Sequence, residues 1–426
     1  MGRVSSAGGS AMWENAAVVA VGDEVLTGEV INTNGAWLSR RLLAAGARVR
    51  RQVVVGDDVH AIAETVRRLL TEVDLVVVVG GLGPTPDDLT RDGVSAALNL
   101  PLQPDAAIAA LIAPRHRAAA GREESVRRQS LILTGAEVLP NSAGTAPGQL
   151  VYQGQRAVVM LPGPPHECQA VADVFLPRVE RATGRRVLRL TWRCYDLSES
   201  EMAHYLGDLL TAPVPRAGLY VSPGVVELRL EMPAAGPATP PELSAAGALA
   251  RARVPAPLYD QSLPVTADDL VATLAERRET VALAESLTGG LLATQLTAVP
   301  GASQVVLEGQ VVYTNEAKAR LGLPPDFLCE KGAVSAEVAR LLARRIRERA
   351  GSTWGVGLTG FAGPGGGTVD NPVGTYYCAV AGPEGVLVRR RRSGAARDVV
   401  RRAAAETARF LLAGAISAQP GFEWES

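Results

Sequence analysis

Lysine is almost missing from this chain of 426 residues: among 43 basic side chains, only Lys318 and Lys331 are not arginine. Arginine keeps its proton at any working pH, whereas a desolvated lysine can release one. A lysine retained against that bias is a candidate for chemistry, with a plain surface position as the alternative. Histidine is also scarce. The four are His60, His116, His166 and His204, so chemistry in the second half must proceed without an imidazole. Cys168, Cys194, Cys329 and Cys378 form no Cys-x-x-Cys pair, which points away from a zinc knuckle or a disulfide framework. No apolar run approaches the roughly 20 residues of a membrane helix. Met1 to Ser10 is small and polar without an apolar signal core, and reads as a flexible tail or a late start site. A cytoplasmic location is the expectation. A net charge of −1 gives no general attraction to nucleic acid or to an anionic membrane.

At this length two or three domains are expected. From Ala16 to about Arg181, short apolar strands alternate with amphipathic helices: Ala16–Val21, then Asn32–Ala45, Arg48–Val55 and Val59–Val73. The continuous apolar run Asp74–Val79 fits a strand buried on both faces of a parallel sheet. This predicts a doubly wound α/β domain over 14–181. Between 182 and 264 the pattern changes to a small α+β unit with a Pro/Ala-rich loop, Met232–Glu242. From 265 to 417 the βα alternation returns as a second α/β domain.

In the first domain, strand Asp74–Val79 runs into Gly80-Gly81-Leu82-Gly83-Pro84-Thr85-Pro86-Asp87-Asp88-Leu89-Thr90. Thr85 suits a helix N-cap and Pro86 the first helical position. A glycine loop leading into a helix start is an anion site. Asp87 and Asp88 in the first turn would repel a bare phosphate unless a divalent cation bridges them. Asp23, in Gly22-Asp23-Glu24, adds an acid at another strand end. The plainer reading is that the paired aspartates only complement the helix dipole. Loops Asn141–Gly148 and Leu161–Glu167 could ring the same crevice at the carboxyl ends of the strands.

The last domain carries Glu285-Ser286-Leu287-Thr288-Gly289-Gly290, Pro300-Gly301-Ala302-Ser303, Tyr313-Thr314-Asn315-Glu316-Ala317-Lys318, and the glycine-rich loop Thr359–Gly367. Amide hydrolysis needs a nucleophile, a base and oxyanion donors. Without histidine the base could be Lys318, its pKa depressed by desolvation, and serine–lysine pairs are an established variant of the triad. Tyr313 could relay a proton, and amides of the Thr359–Gly367 loop could hold a phosphate or an oxyanion. The bland readings are a helix cap for Ser286, a turn for Ser303, a structural Tyr313, surface positions for Glu285 and Glu316, and a solvated strand end for Arg389–Arg392.

Taken together, these segments resemble the CinA (competence/damage-inducible protein) family over nearly the whole chain. The resemblance implies a molybdopterin-binding-like amino-terminal domain with metal-dependent ADP-ribose pyrophosphatase activity. It also implies a KH-like middle unit and a carboxy-terminal nicotinamide mononucleotide deamidase of the serine–lysine type. By position, Ser303 and Lys318 would be nucleophile and base, supported by Ser286 and Tyr313. Thr359, Gly360, Gly363 and Gly365 would lie near substrate, and Arg397 near its phosphate. In the first domain Gly81, Gly83, Thr85, Asn141 and Thr145 would bind substrate, with Asp23, Asp87 and Asp88 on a divalent metal. The deamidase would need no cofactor. The expected partners are the two nucleotides and a second copy of the chain, with no membrane and no direct nucleic acid contact, since the middle unit lacks a G-x-x-G loop. Leu287 stands where a cysteine is common, and Pro86 where a lysine is frequent. Two other readings are a non-catalytic pterin- or nucleotide-binding first domain, and a regulatory partner in DNA uptake or repair.

Overall fold

The computed structural model describes residues 12–115, 122–418 and 422. The expected tail Met1–Ser10 and His116 lie outside the described residues. By contacts the chain divides into two units, 1–188 with 232–240, and 189–231 with 241–426.

In the first unit, in chain order, come β1 (Asn15–Val21), α1 (Asp23–Leu26), α2 (Thr33–Ala44), β2 (Arg48–Val55), α3 (Val59–Glu72) and β3 (Leu75–Val79). After them come α4 (Thr90–Leu98), β4 (Leu102–Pro104), α5 (Ala106–Ile112), α6 (Arg122–Gln129), β5 (Leu131–Leu133), β6 (Glu137–Leu139), β7 (Gly148–Gln153), β8 (Arg156–Leu161) and α7 (Pro165–Thr183). The main sheet has the order β2-β1-β3-β8-β7-β6. Its first four strands are parallel, β7 runs antiparallel to β8, and β6 pairs antiparallel with β7 at the edge. Alternate residues of β1 serve opposite faces. Ala16, Val18 and Ala20 pack with Leu38, Leu42 and Phe175 of α2 and α7. Ala17, Val19 and Val21 pack with Ile62, Val66 and Leu69 of α3. Both faces are covered, as the expected doubly wound arrangement requires. One local reading fails. The helix after β3 begins at Thr90 with Leu89 at its N-cap, not at Thr85–Pro86. Asp87 and Asp88 therefore sit in the loop ahead of the helix.

The second unit takes in most of the middle segment: β9 (Arg186–Cys194), α8 (Glu199–Leu206), β10 (Arg216–Ser222), β11 (Val225–Ala234) and α9 (Pro241–Arg253). Ser198 and Glu201 close a capping box at the start of α8. The expected loop Met232–Glu242 is shorter, because β11 runs to Ala234 and α9 starts at Pro241. The three strands form a sheet of order β10-β11-β9. By contacts most of this α+β piece groups with the carboxy-terminal sheet. Tyr195 stacks on Phe410 at 3.9 Å between ring centroids and donates its hydroxyl to Glu406 Oε1 at 3.2 Å.

There follow α10 (Ala267–Arg277), β12 (Val281–Glu285), α11 (Leu291–Thr297), β13 (Val306–Val311), α12 (Asn315–Arg320), α13 (Pro325–Lys331) and α14 (Ala336–Ala350). The chain continues with β14 (Trp354–Gly360), β15 (Thr375–Gly382), β16 (Gly385–Arg392) and α15 (Arg397–Ser417). The sheet order is β13-β12-β14-β15-β16. Strands β13, β12 and β14 are parallel, and β15 and β16 antiparallel. Helices α10, α11 and α15 bury Leu274, Leu292 and Phe410 against one face. Helix α14 buries Val338, Leu342 and Ile346 against the other. The carboxyl ends of β12, β13 and β14 thereby bring the Ser286, Tyr313 and Thr359 segments to one edge of the sheet. Among the described residues no helix is long and apolar enough to cross a membrane.

Candidate active site

Lys318 lies in a short helix, α12, started by Thr314, whose hydroxyl accepts the Ala317 amide at 3.2 Å. The residues that follow, Leu321 and Leu323, are buried in the core under β12. The same packing turns Lys318 inward, leaving it 2% exposed. Its amine donates to Ser286 Oγ at 3.2 Å, to Val312 O at 3.1 Å and to Tyr313 O at 3.3 Å. All three acceptors are neutral. Burial lowers the Lys318 pKa, and only the exposed Glu316 carboxylate opposes that shift. An amine with no bonded carboxylate in a dry site is one that can hold the neutral, proton-accepting form.

Ser286 is placed by the strand ends. Its amide donates to Leu358 O at 3.0 Å, and its carbonyl accepts the Gly289 amide at 3.1 Å. It is not a helix cap, for α11 has Gly290 at its N-cap and no capping side chain there. Glu285 satisfies that helix end instead, accepting the amides of Leu292 at 3.1 Å and Ala293 at 2.8 Å. The surface reading of Glu285 is thus overturned: the residue is 1% exposed.

Ser303 is not brought to Lys318. It is exposed in a 3-10 turn, Ala302–Gln304, just before β13. Val306 pairs with Val281 at the start of β12, whereas Glu285, next to Ser286, pairs with Val311. At roughly 3.3 Å per residue the two serines stand about 16 Å or more apart along the sheet. Within one chain, Ser286 is the hydroxyl that meets the amine.

Tyr313 contributes its carbonyl to Lys318, while its ring is half exposed and its hydroxyl accepts Arg397 Nη2 at 2.6 Å. Arg397 also donates to Gly363 O at 2.6 Å, so it straps the Tyr313 turn to the glycine-rich loop. Thr359 is fully buried, and its hydroxyl is spent on Ala333 O at 2.6 Å. A Cβ at Gly360 would stand 2.6 Å from Tyr376 Cβ, which explains that glycine by packing. Gly363 has φ +85°, and Gly365 faces open space. Sequence reasoning passed over Arg401, which donates from Nε to Leu287 O at 3.1 Å and from Nη2 to Thr288 O at 2.7 Å. Its spacing of four from Arg397 on α15 places both on one helix face, the signal that could have found it.

In the first unit a cleft of about 530 Å³ opens at the carboxyl ends of β1, β3 and β8. Gly81, Gly83, Asp88 and Thr145 line it, with Glu24, Asn34 and Glu167. Gly81 has φ +61°, and a Cβ there would stand 2.4 Å from Thr90 Oγ1. Buried Arg91 donates to Leu82 O and Gly83 O, each at 2.8 Å, and burial lowers its pKa to about 10. Asp88 accepts the Gly83 amide at 2.7 Å and the Thr85 amide at 2.8 Å, so its carboxylate folds the loop. Thr85, Asn141, Asp23 and Asp87 are not among the lining residues. Asn141 braces its own turn, accepting the Ala143 and Gly144 amides and donating to Glu167 Oε2. Burial raises the Asp57 pKa, with the nearby charges of Asp23, Glu24 and Asp87 adding to it against an opposing backbone hydrogen bond at Asp23. Acids therefore gather beside the cleft. Even so, among the described residues no group of three or more His, Cys, Asp or Glu could hold a metal ion. Asp23, Asp87 and Asp88 do not form a ready ligand cage. An ion there would depend on substrate phosphates and water for most of its ligands.

Two family models match the chain. Residues 17–181 match the "Probable molybdopterin binding domain", and residues 265–416 match the "CinA C-terminal domain". A CinA-like protein of Anaeromyxobacter sp. (strain K) is 40% identical over 406 residues, 93% of this chain and 98% of that one. A CinA-like protein of Citrifermentans bemidjiense is 39% identical over 406 residues, 93% of this chain and 97% of that one. Among solved structures, the competence/damage inducible protein CihA of Agrobacterium tumefaciens is 37% identical, covering 35% of this chain and 93% of that one, at a TM-score of 0.34. With relatives this similar along almost its full length, and a family model on each of its two α/β domains, this chain belongs to the CinA family.

Proposed function

We propose that the carboxy-terminal domain is an amidohydrolase acting on nicotinamide mononucleotide, with Ser286 as nucleophile and Lys318 as its base. The observation that carries the reading is the Lys318–Ser286 hydrogen bond of 3.2 Å in a buried site where the amine has only neutral acceptors. Neutral Lys318 takes the Ser286 proton as Oγ bonds to the carboxamide carbon. The carbonyl electron pair moves onto oxygen. When it returns, the carbon–nitrogen bond breaks and Lys318 hands its proton to the departing ammonia. Water then attacks the acyl-serine, again giving a proton to Lys318, and the carboxylate product leaves as Ser286 is restored. Mass spectrometry after incubation with nicotinamide mononucleotide should find nicotinate mononucleotide and ammonia in equal amounts. Unchanged substrate at enzyme concentrations comparable to substrate would defeat the proposal.

The base works only when neutral, so kcat/KM should rise with pH and then level off. Since burial lowers the Lys318 pKa, the midpoint should fall below the ordinary lysine value of 10.5. A pH–rate profile that only declines as pH rises would contradict a neutral-amine base.

For the amino-terminal domain, the 530 Å³ cleft with Gly81 and Gly83 on its wall supports nucleotide binding, and ADP-ribose is the ligand the family resemblance suggests. Hydrolysis there should require an added divalent cation, since the acids form no cage of their own. Incubation with ADP-ribose and magnesium should give AMP, and chelation should stop it. Saturable ADP-ribose binding without AMP would make this domain a binding module.

A further inference from the structure

Two backbone amides next to Ser286 have no use inside the protein. Leu287 is 3% exposed and Thr288 fully buried, yet among the described residues neither N–H donates to a protein acceptor. Buried orphan amides are rare in folded chains and ask for an explanation. Both are also held from behind. In a trans peptide the N–H points away from the carbonyl of the same unit. The Leu287 N–H shares its plane with Ser286 O, which is fixed by the Gly289 amide at 3.1 Å. The Thr288 N–H shares its plane with Leu287 O, which is fixed by Arg401 Nε at 3.1 Å. The same guanidinium holds Thr288 O at 2.7 Å, and the positive φ of Gly289 and Gly290, +62° and +90°, turns the chain tightly enough for one arginine to reach both carbonyls. Among the described residues Arg401 has no carboxylate partner, so its hydrogen bonds go to this turn.

We propose that the Leu287 and Thr288 amides form the oxyanion site and that Arg401 is the positioning residue that aims the Thr288 amide. This rests on Ser286 being the nucleophile. The amide following a nucleophilic serine at a strand–turn–helix junction is a recurrent oxyanion donor. As Ser286 Oγ bonds to the carboxamide carbon and its proton passes to Lys318, the carbonyl pair collects on oxygen, and two preorganised amides meet that charge without reorganising. The Thr359–Gly367 loop is a weaker source of donors, since the Thr359 hydroxyl is spent and Gly360 is paired with Tyr376 in the sheet.

The test compares Arg401→Ala and Arg401→Lys with the parent protein on nicotinamide mononucleotide. Loss of one oxyanion donor lowers kcat by roughly 10²–10³, so Arg401→Ala should fall about a hundredfold in kcat with KM nearly unchanged. Millimolar guanidinium should restore much of that rate. Arg401→Lys, which keeps the charge and can reach one carbonyl, should fold normally and fall about tenfold in kcat. Parental kcat in Arg401→Lys, or no rescue of Arg401→Ala by guanidinium, would overturn the assignment of Arg401. Ser286→Ala is measured alongside. Activity in that variant would instead overturn the nucleophile reading on which the oxyanion site depends.

Discussion

Lys318→Arg should end ammonia release from nicotinamide mononucleotide, with a loss of at least about a thousandfold, within the range general-base catalysis supplies. Arginine keeps a positive charge but cannot serve as a base. The site is also tight, for the amine is 2% exposed and already fitted to three oxygens. Lys318→Met serves as the folding control, being apolar and of similar length; it should be equally inactive yet at least as stable as the parent by thermal unfolding, because it removes a desolvated amine. Ser286→Ala should lose as much activity as Lys318→Arg, and the double variant little more, since groups that act as a unit are not additive. Ser303→Ala should stay within about threefold of the parent, its hydroxyl being exposed at the far end of β13. An inactive Ser303→Ala beside an active Ser286→Ala would return the nucleophile to the position that family resemblance assigned.

Gly357→Val should be among the most damaging changes in the core of the same domain. A Cβ at Gly357 would stand 2.3 Å from Ala339 O and 2.6 Å from Ala343 N, both backbone atoms of α14. Gly355 makes the same close approach, 2.1 Å from Ala343 O. Helix α14 therefore lies directly on β14, and neither backbone can yield without separating. Adding a branched side chain should cost more than about 4 kcal/mol, the range reserved for disrupted cores, and soluble yield should collapse. Gly365→Ala is the matched control. It faces open space and should shift stability by no more than about 0.5 kcal/mol. A Gly357→Val protein that melts like the parent would mean that the strand and helix are not in contact as described.

Much of the fold was readable in the chain. Strands β1 and β3 were visible as apolar runs, because strands buried on both faces carry no polar alternation to obscure them. Helices α2 and α3 declared themselves through amphipathic spacing, whereas their side-chain caps, Asn32 and Asp58, emerge only in the fold. The start of α4 was misread. Thr85-Pro86 has the local chemistry of a helix start, but the Asp88 carboxylate gathers the Gly83 and Thr85 amides into a loop first. The plain reading of Glu285 failed for a similar reason, since its partners, the Leu292 and Ala293 amides, lie seven and eight residues on.

The chain by itself determined which chemistry was available. Two lysines among 43 cations and no histidine after residue 204 left hydroxyls and an amine as the groups that could exchange a proton in the last domain. Only the tertiary structure shows which serine meets the amine. Ser286 and Lys318 are 32 residues apart and Ser303 lies between them, so sequence distance favours Ser303, whereas the hydrogen bond goes to Ser286. Parallel pairing of β12 with β13 carries Ser286 to the end of the sheet where α12 begins and leaves Ser303 at the other. A proton can move only between groups in contact, and that contact is set by strand register.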